Sequence, residues 1–308
     1  MCNPISLIIT EDKAFLPPEK VWNHSHTYIM KTHNIPDGMI GDKYLRLEVT
    51  PPEENVFRNK ETNEKLVVDT TWNVKIDETN IPEWYSNDLA NQENRAREAA
   101  KKWFDSFPNN LVPGYREIAG DYSTLTAGNW STLTGGNWSR LTSGNISILT
   151  GGHYSTLTGV DNSVLTGGNY STLTGGACST LTAGNDSTLT GGACSRLTGG
   201  NDSTLTGGGC STLTGGYKST LTGGNNSTLT AGDGSIFCSG ENSSFISQYW
   251  DGKKYRTIVF YVGENGILPN KKYKICYDKI YDYKTNEEVK TKKTLKKKTI
   301  KNKKKTKK

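Results

Sequence analysis

Residues 171–186 read STLTGGACSTLTAGND, two consecutive copies of an eight-residue unit that runs through the middle of the chain. Ser recurs every eight residues from Ser123 to Ser243 without a slip, and Leu follows two positions later from Leu125 to Leu229. The consensus octad is Ser-Thr-Leu-Thr-Gly-Gly-Asn-x, numbered here from one at Ser to eight at x. A strict short period of this kind is typical of a solenoid, in which each repeat packs on its neighbours.

Each octad predicts a short β-strand followed by a turn. Strand side chains alternate, so Ser and Leu should point inward and the two Thr outward. Gly is expected to supply the positive φ or tight corner of the turn. One octad buries a single Leu, which cannot offset the loss of chain entropy, whereas stacked octads bury a continuous column of Leu.

Position eight indicates how many octads close one coil. Alternate octads carry Tyr122, Trp138, Tyr154, Tyr170, Asp186 and Asp202 there, and the intervening octads include Cys178, Cys194 and Cys210. Because like residues recur every sixteen positions, one coil should hold two octads and two opposed strands. Sixteen octads then give about eight coils, which at the ~4.8 Å spacing of strands form a rod of roughly 38 Å.

The chain is therefore predicted to be mainly β, with a parallel β-solenoid over residues 114–247. Residues 1–113 are expected to form an α+β head domain. Strands are predicted at residues 5–10 and 44–49, with a third and a fourth between 65 and 77, and the apolar spacing from Ala96 to Phe107 predicts an amphipathic helix.

The two ends of the solenoid show signs of capping. Residues 115–120 resemble a degenerate first octad, and the larger Phe237 and Phe245 suit a closing layer. Residues 257–262 and 273–277 flank a glycine-rich turn, which predicts a hairpin-like cap within residues 248–283 that hides the last open strand edge.

Residues 284–308 form a basic tail that is predicted to be disordered on composition. The tail contains thirteen Lys and two Glu, whereas the rest of the chain contains 24 basic and 29 acidic residues. The formal net charge of +6 therefore comes entirely from the tail. Such a tail is expected to bind nucleic acid or another anionic polymer without sequence preference. The alternatives are a solubilising terminus and an import signal.

The N-terminus lacks a basic segment followed by an apolar segment, so no secretory signal is predicted. No run of eighteen apolar residues predicts a membrane span. We therefore expect a protein that is not secreted by a signal peptide, located inside a cell or in a virion, with mostly reduced thiols. No cofactor and no metal site is predicted.

Outward Thr side chains on one face are predicted to form a flat lattice. The unbroken pairs are Thr156 and Thr158, Thr172 and Thr174, Thr188 and Thr190, Thr204 and Thr206, and Thr220 and Thr222. Ile148, Val164 and Arg196 interrupt the opposite face. The lattice is a candidate surface for ice or another crystal, although Thr is also an ordinary outward residue of a soluble strand.

Two further columns are predicted along the edges of the rod. Tyr122, Trp138, Tyr154 and Tyr170 form a candidate interface for self-association, since Tyr and Trp are enriched in interface cores; the alternative is stacking that only stiffens the rod. The second column contains Cys178, Cys194 and Cys210, which recur every sixteen residues. Their Cβ atoms should lie somewhat too far apart for disulfides. We expect free thiols that fill a corner, because a metal site would require converging ligands.

The head domain contains a candidate nucleophile. Cys2 lies in the same domain as His24, His26 and His33, and a Cys–His pair could act in covalent catalysis. The spacing does not require such a pair, and residues 23–26 are equally consistent with a helix cap and a solvated loop.

The octad resembles the repeat of bacterial ice nucleation proteins, which runs Ala-Gly-x-x-Ser-Thr-x-Thr in coils of sixteen residues. Residues 127–128, 183–190 and 231–232 come closest. The resemblance covers about 40% of the chain and implies the solenoid fold. It implies little about activity, because such repeats occur in proteins of different function.

Short segments at the two ends of the chain resemble uncharacterised phage and giant-virus proteins in which a globular head precedes a Gly/Thr-rich repeat. The matching segments are MCNPIS at 1–6, LRLEVTPP at 45–52, IPEWY at 81–85, YWDG at 249–252 and YVGENGI at 261–267. This resemblance implies a viral origin and a location in the host cell or the virion.

The sequence thus favours a non-enzymatic structural or interaction protein, in which the solenoid is a rigid spacer and a binding surface. An ice- or crystal-surface-binding protein is the first alternative. An enzyme whose head domain uses Cys2 and a His is the second.

Overall fold

The computed structural model describes residues 5–18, 25–53, 56–59 and 61–289. The chain divides into two compact units, Met1–Tyr115 and Arg116–Lys308, which we call the head unit and the solenoid unit. The predicted fold class is confirmed: the chain is mainly β, and a parallel β-solenoid dominates the second unit.

The head unit packs a small antiparallel sheet against helices. The sheet has the order β2-β1-β3-β4, with β1 Ile5–Ile9, β2 Ala14–Phe15, β3 Leu45–Thr50 and β4 Asn73–Ile76. The helices are α1 His26–His33, α2 Glu83–Ser86 and α3 Leu89–Asp105, and short 3-10 turns lie at Asp37–Met39 and Asn109–Leu111. The predicted helix is confirmed in α3, which buries Ala96, Ala100, Trp103 and Phe104 against the sheet.

The solenoid unit contains two parallel sheets, and each coil contributes one strand to each sheet. Sheet A contains β6 Thr124–Thr126, β8 Arg140–Thr142, β10 Thr156–Thr158, β12 Thr172–Thr174, β14 Thr188–Thr190, β16 Thr204–Thr206, β18 Thr220–Gly223 and β20 Ile236–Ser239. Sheet B contains β5 Arg116–Ile118, β7 Thr132–Thr134, β9 Ile148–Thr150, β11 Val164–Thr166, β13 Thr180–Thr182, β15 Arg196–Thr198, β17 Thr212–Thr214, β19 Thr228–Gly232 and β21 Ser244–Trp250.

The strand register confirms that two octads close one coil. In sheet A, Leu157 pairs with Leu173, which lies sixteen residues later, and Leu173 pairs with Leu189. The octad Leu residues from Leu133 to Leu229 are at most 1% exposed. Burial of each contributes roughly 1.5–3 kcal/mol, so the column of Leu is the main source of stability in this unit.

The octad Ser residues form a second buried column, with hydrogen bonds that run along the solenoid. The backbone N–H of Ser155 donates to Oγ of Ser171 at 3.3 Å, and Oγ of Ser171 donates to the carbonyl of Gly152 at 3.3 Å. The same pattern repeats from coil to coil. Position one therefore requires a small side chain that can both accept and donate a hydrogen bond.

The glycines at octad positions five and six do not have a positive φ, which was the first of the two roles predicted for them. The left-handed residue is position eight, where φ lies between 55° and 61° for residues such as Tyr122 and Cys178. Glycine at position six is required instead for close approach of the next coil. A Cβ at Gly184 would lie 1.9 Å from Oδ1 of Asn169, because that amide oxygen accepts the N–H of Asn185 at 2.9 Å.

Position seven thus supports a third ladder, in which an Asn or Asp side chain accepts the N–H of the residue sixteen positions later. It runs, for example, from Asn129 to Asn145 and from Asn145 to Asp161, at 2.8 Å and 3.1 Å. The Asn of the consensus is the sequence signal for this ladder.

The degenerate first octad and the C-terminal cap both extend the solenoid sheets, but the pairing of the cap differs from the predicted hairpin. In the degenerate first octad, β5 pairs with β7 and Glu117 occupies the Leu register. At the other end, β22 Tyr255–Tyr261 pairs antiparallel with β21, and β23 Tyr273–Cys276 pairs with both β20 and β24 Lys279–Asp282. The segments expected to pair across the turn at 263–266 therefore belong to different sheets.

The residues of the cap fill the end of the core. Phe237 and Phe245 are fully buried with ring centroids 5.4 Å apart, and Tyr273 packs on Phe245 at 6.3 Å. Residues 284–289, which the sequence places in the disordered tail, fold back so that the N–H of Val289 donates to Ile280. Residues 290–308 lie outside the described residues.

Candidate binding surfaces

The Thr lattice lies on the outer face of sheet A in five successive coils, in the predicted register. Thr172 pairs with Thr188, Thr188 pairs with Thr204, and the pattern extends to Thr156 and Thr220. All ten side chains are exposed or partly exposed. The strand of Arg140 borders the lattice on one side, and that of Ile236 on the other.

The outer face of sheet B is less uniform, as predicted. Ile148 and Val164 are 49% and 42% exposed and lie in register with each other. Arg196 lies between Thr180 and Thr212. The two faces therefore present different chemistry on the same backbone.

The aromatic column lies along the edge where sheet B strands lead into sheet A strands. The rings of Tyr122, Trp138, Tyr154 and Tyr170 are stacked, with successive centroids 6.3, 4.2 and 4.8 Å apart and ring planes within 4–7° of parallel. Stacking of this kind contributes about 0.5–1.5 kcal/mol per pair beyond burial. The intramolecular stacking on which the alternative interpretation depends is therefore present in the structure.

Stacking leaves much of each aromatic side chain exposed. Tyr122 is 75% exposed, Trp138 and Tyr170 are each 50% exposed, and Tyr154 is 43% exposed. Since the ring faces contact each other, the column presents mainly ring edges and hydroxyl groups to solvent. The same column continues in the next two coils with Asp186 and Asp202.

The Cys column lies along the opposite edge. Cys178, Cys194 and Cys210 are exposed and free, with φ between 56° and 58°. The expectation that they fill a corner is wrong, because position eight projects outward from the left-handed turn. Cys238 and Cys276 are partly buried in β20 and β23, and burial raises the pKa of both thiols.

The described histidines of the head unit bind backbone carbonyl groups. His26 is 8% exposed, with Nε2 at 3.0 Å from the Leu47 carbonyl and Nδ1 at 3.3 Å from the carboxylate of Asp77. His33 contacts the Leu16 carbonyl through Nε2 at 2.8 Å. Cys2 and His24 lie outside the described residues.

A buried guanidinium, which the sequence did not reveal, ties together the end of the head unit. Arg58 donates to the carbonyl of Val112 at 3.1 Å and to Oδ1 of Asn109 at 2.9 Å, and it lies over the ring of Tyr115. Burial lowers the pKa of Arg58 to about 10. Its contacts are those of a structural residue.

Within the described part of the chain, no three His, Cys, Asp or Glu side chains converge on a possible metal position. No described helix combines the length and apolarity needed to cross a membrane. Comparisons of the chain with protein families, with curated proteins and with solved structures find no match.

Proposed function

We propose that this protein is a non-enzymatic interaction protein whose solenoid is a rigid scaffold for self-association. The aromatic column carries this proposal. Four stacked rings in register expose 43–75% of their surfaces on a backbone held by hydrogen bonds to the coils on either side. A rigid exposed aromatic surface loses little conformational entropy when it packs against a partner.

A second copy of the chain is the proposed partner. Two columns packed side by side would bury ring edges against ring edges, whereas the polar residues Asp186 and Asp202 would stay at the periphery. A location in the host cell or the virion, and contacts of the Lys-rich tail with nucleic acid, remain proposals that rest on the sequence alone.

Light scattering over a range of concentrations tests this proposal. The monomer mass is 33.9 kDa, and we expect wild-type protein to exceed it. Exchange of Tyr154→Ser together with Tyr170→Ser should return the mass to that of the monomer. Asp186→Ser with Asp202→Ser is the matched control, because it changes the same column in the next two coils and should leave the mass unchanged. A monomeric wild type, or an oligomer unaffected by the Tyr changes, would refute the proposal.

A second candidate function is adsorption to ice or another crystal through the Thr lattice, which is unbroken over five coils. Thr172→Lys with Thr188→Lys should abolish shaping of ice crystals. Thr180→Lys with Thr212→Lys, on the opposite face, should leave it intact. If wild-type protein does not shape growing ice, this candidate is excluded.

A further inference from the structure

The three exposed thiols are held in equivalent positions one coil apart. Cys178 donates its N–H to the carbonyl of Ala193 at 2.8 Å, and Cys194 donates to Gly209 in the next coil at the same distance. Their φ values differ by 2°. Neighbouring sulfur atoms are therefore anchored on backbones separated by the ~4.8 Å spacing of strands.

The surface beside the thiols differs from the rest of that edge. Position seven is Ala177, Ala193 and Gly209 in these coils, so the Asn/Asp ladder is interrupted. In the coils on either side it is present: Asp161 accepts the N–H of Ala177 at 2.7 Å, and Asn225 accepts that of Glu241 at 3.0 Å.

This interruption has two consequences for the thiols. The small side chains leave an open strip along the column. The N–H groups of Ala193 and Gly209 also have no side-chain acceptor from the preceding coil, because Ala177 and Ala193 carry no polar side-chain atom. The open strip leaves room for an ion beside the thiols.

We propose that the Cys column binds a thiophilic d10 cation such as Cu(I), held in linear coordination between the thiolates of successive coils. Soft thiolate ligands select such ions. The bond from four-coordinate zinc to a thiolate is about 2.3 Å. A two-coordinate d10 ion binds sulfur no farther away, so a linear centre spans at most about 4.6 Å between sulfur atoms, slightly less than the ~4.8 Å coil spacing. A tetrahedral ion needs four converging ligands, which the column does not offer.

Cys194 is the shared ligand of two overlapping sites, one with Cys178 and one with Cys210. Binding deprotonates two thiols and forms two copper–sulfur bonds, so two protons are released and Cu(I) keeps its oxidation state. Cys178 and Cys210 are two coils apart, about 9.6 Å, which one ion cannot bridge. This proposal concerns the edge opposite the aromatic column and does not depend on self-association.

The test is an anaerobic titration of the full chain with Cu(I) against a competing Cu(I) chelator. Cys2, Cys238 and Cys276 are replaced by Ser in every variant, and circular dichroism establishes that each variant is folded. We expect Cys194→Ser to weaken binding about 100-fold or more, because chelation by two thiolates becomes binding by one. Cys210→Ser is the matched control and should retain the affinity within about threefold, since one complete pair remains.

X-ray absorption at the copper edge supplies the second measurement. We expect two sulfur neighbours and no nitrogen neighbour in the bound state, and binding of Zn(II) should be weak. Equal affinity of Cys194→Ser and Cys210→Ser would overturn the proposal, because the thiols would then act singly. Retention of the affinity when all three thiols are replaced would overturn it as well.

Discussion

The buried Ser column makes a testable prediction, because its hydrogen bonds are specific to a sixteen-residue coil. Ser171→Ala removes the acceptor of the Ser155 N–H, which lies 3.3 Å from Oγ in a residue that is 1% exposed. The change also removes the donor to Gly152, but that carbonyl keeps the N–H of Gly168 at 2.9 Å. One buried N–H is therefore left without its partner.

The expected loss in the free energy of unfolding is that of one unpaired buried N–H group, the amide of Ser155. An unsatisfied buried donor destabilises a protein by about 1–3 kcal/mol. The lost bonds are long, so we expect Ser171→Ala to lie in the lower half of this range. Thr172→Ala is the control, since it removes a neighbouring exposed side chain and should change the free energy of unfolding by about 0.5 kcal/mol or less.

Urea unfolding followed by circular dichroism measures both variants. Hydrogen exchange provides a site-specific measurement, because the Ser155 amide should lose protection in Ser171→Ala and keep it in Thr172→Ala. The account of the Ser column is refuted if the two variants are equally stable and the Ser155 amide exchanges as in the wild type.

Three further predictions concern the close contacts of the molecule. Gly184→Ala should lower the free energy of unfolding by about 1–3 kcal/mol through overpacking; Gly175→Ala should lower it less, because position five is already Ala in other octads. Arg256 holds the pKa of Asp251 at about 2. That carboxylate therefore contributes stability above pH 3.8 that is lost as the pH falls through about 2, and Arg256→Gln should raise its pKa in an NMR titration. Arg58→Ala should destabilise the head unit by about 1–3 kcal/mol and leave the solenoid transition unchanged in calorimetry.

The sequence predicted the solenoid well because its period is visible in single residue types. Leu recurs every eight residues, and position eight distinguishes alternate octads through Cys178 and Tyr170, so both the coil length and the register follow. The amphipathic helix of the head was predicted for the same reason, since Ala96 and Trp103 lie on one face.

Features that depend on contacts between coils were not predicted. A run of glycine is compatible with positive φ and with close approach, and only the position of Asn169 against Gly184 decides between them. The pairing of the cap was also missed, because β22 and β23 continue different sheets across the end of the core. The exposure of Cys194 follows from the left-handed turn, which the sequence does not reveal.

The distance between two spin labels on sheet A tests most directly whether two octads close one coil. The labels are attached to Thr156→Cys and Thr220→Cys in a chain without native cysteines and measured by pulsed electron paramagnetic resonance. These positions are 64 residues and four coils apart, so we predict a distance of about 19 Å. A distance near 38 Å would mean that each octad forms its own coil, and it would contradict every surface assigned to the solenoid.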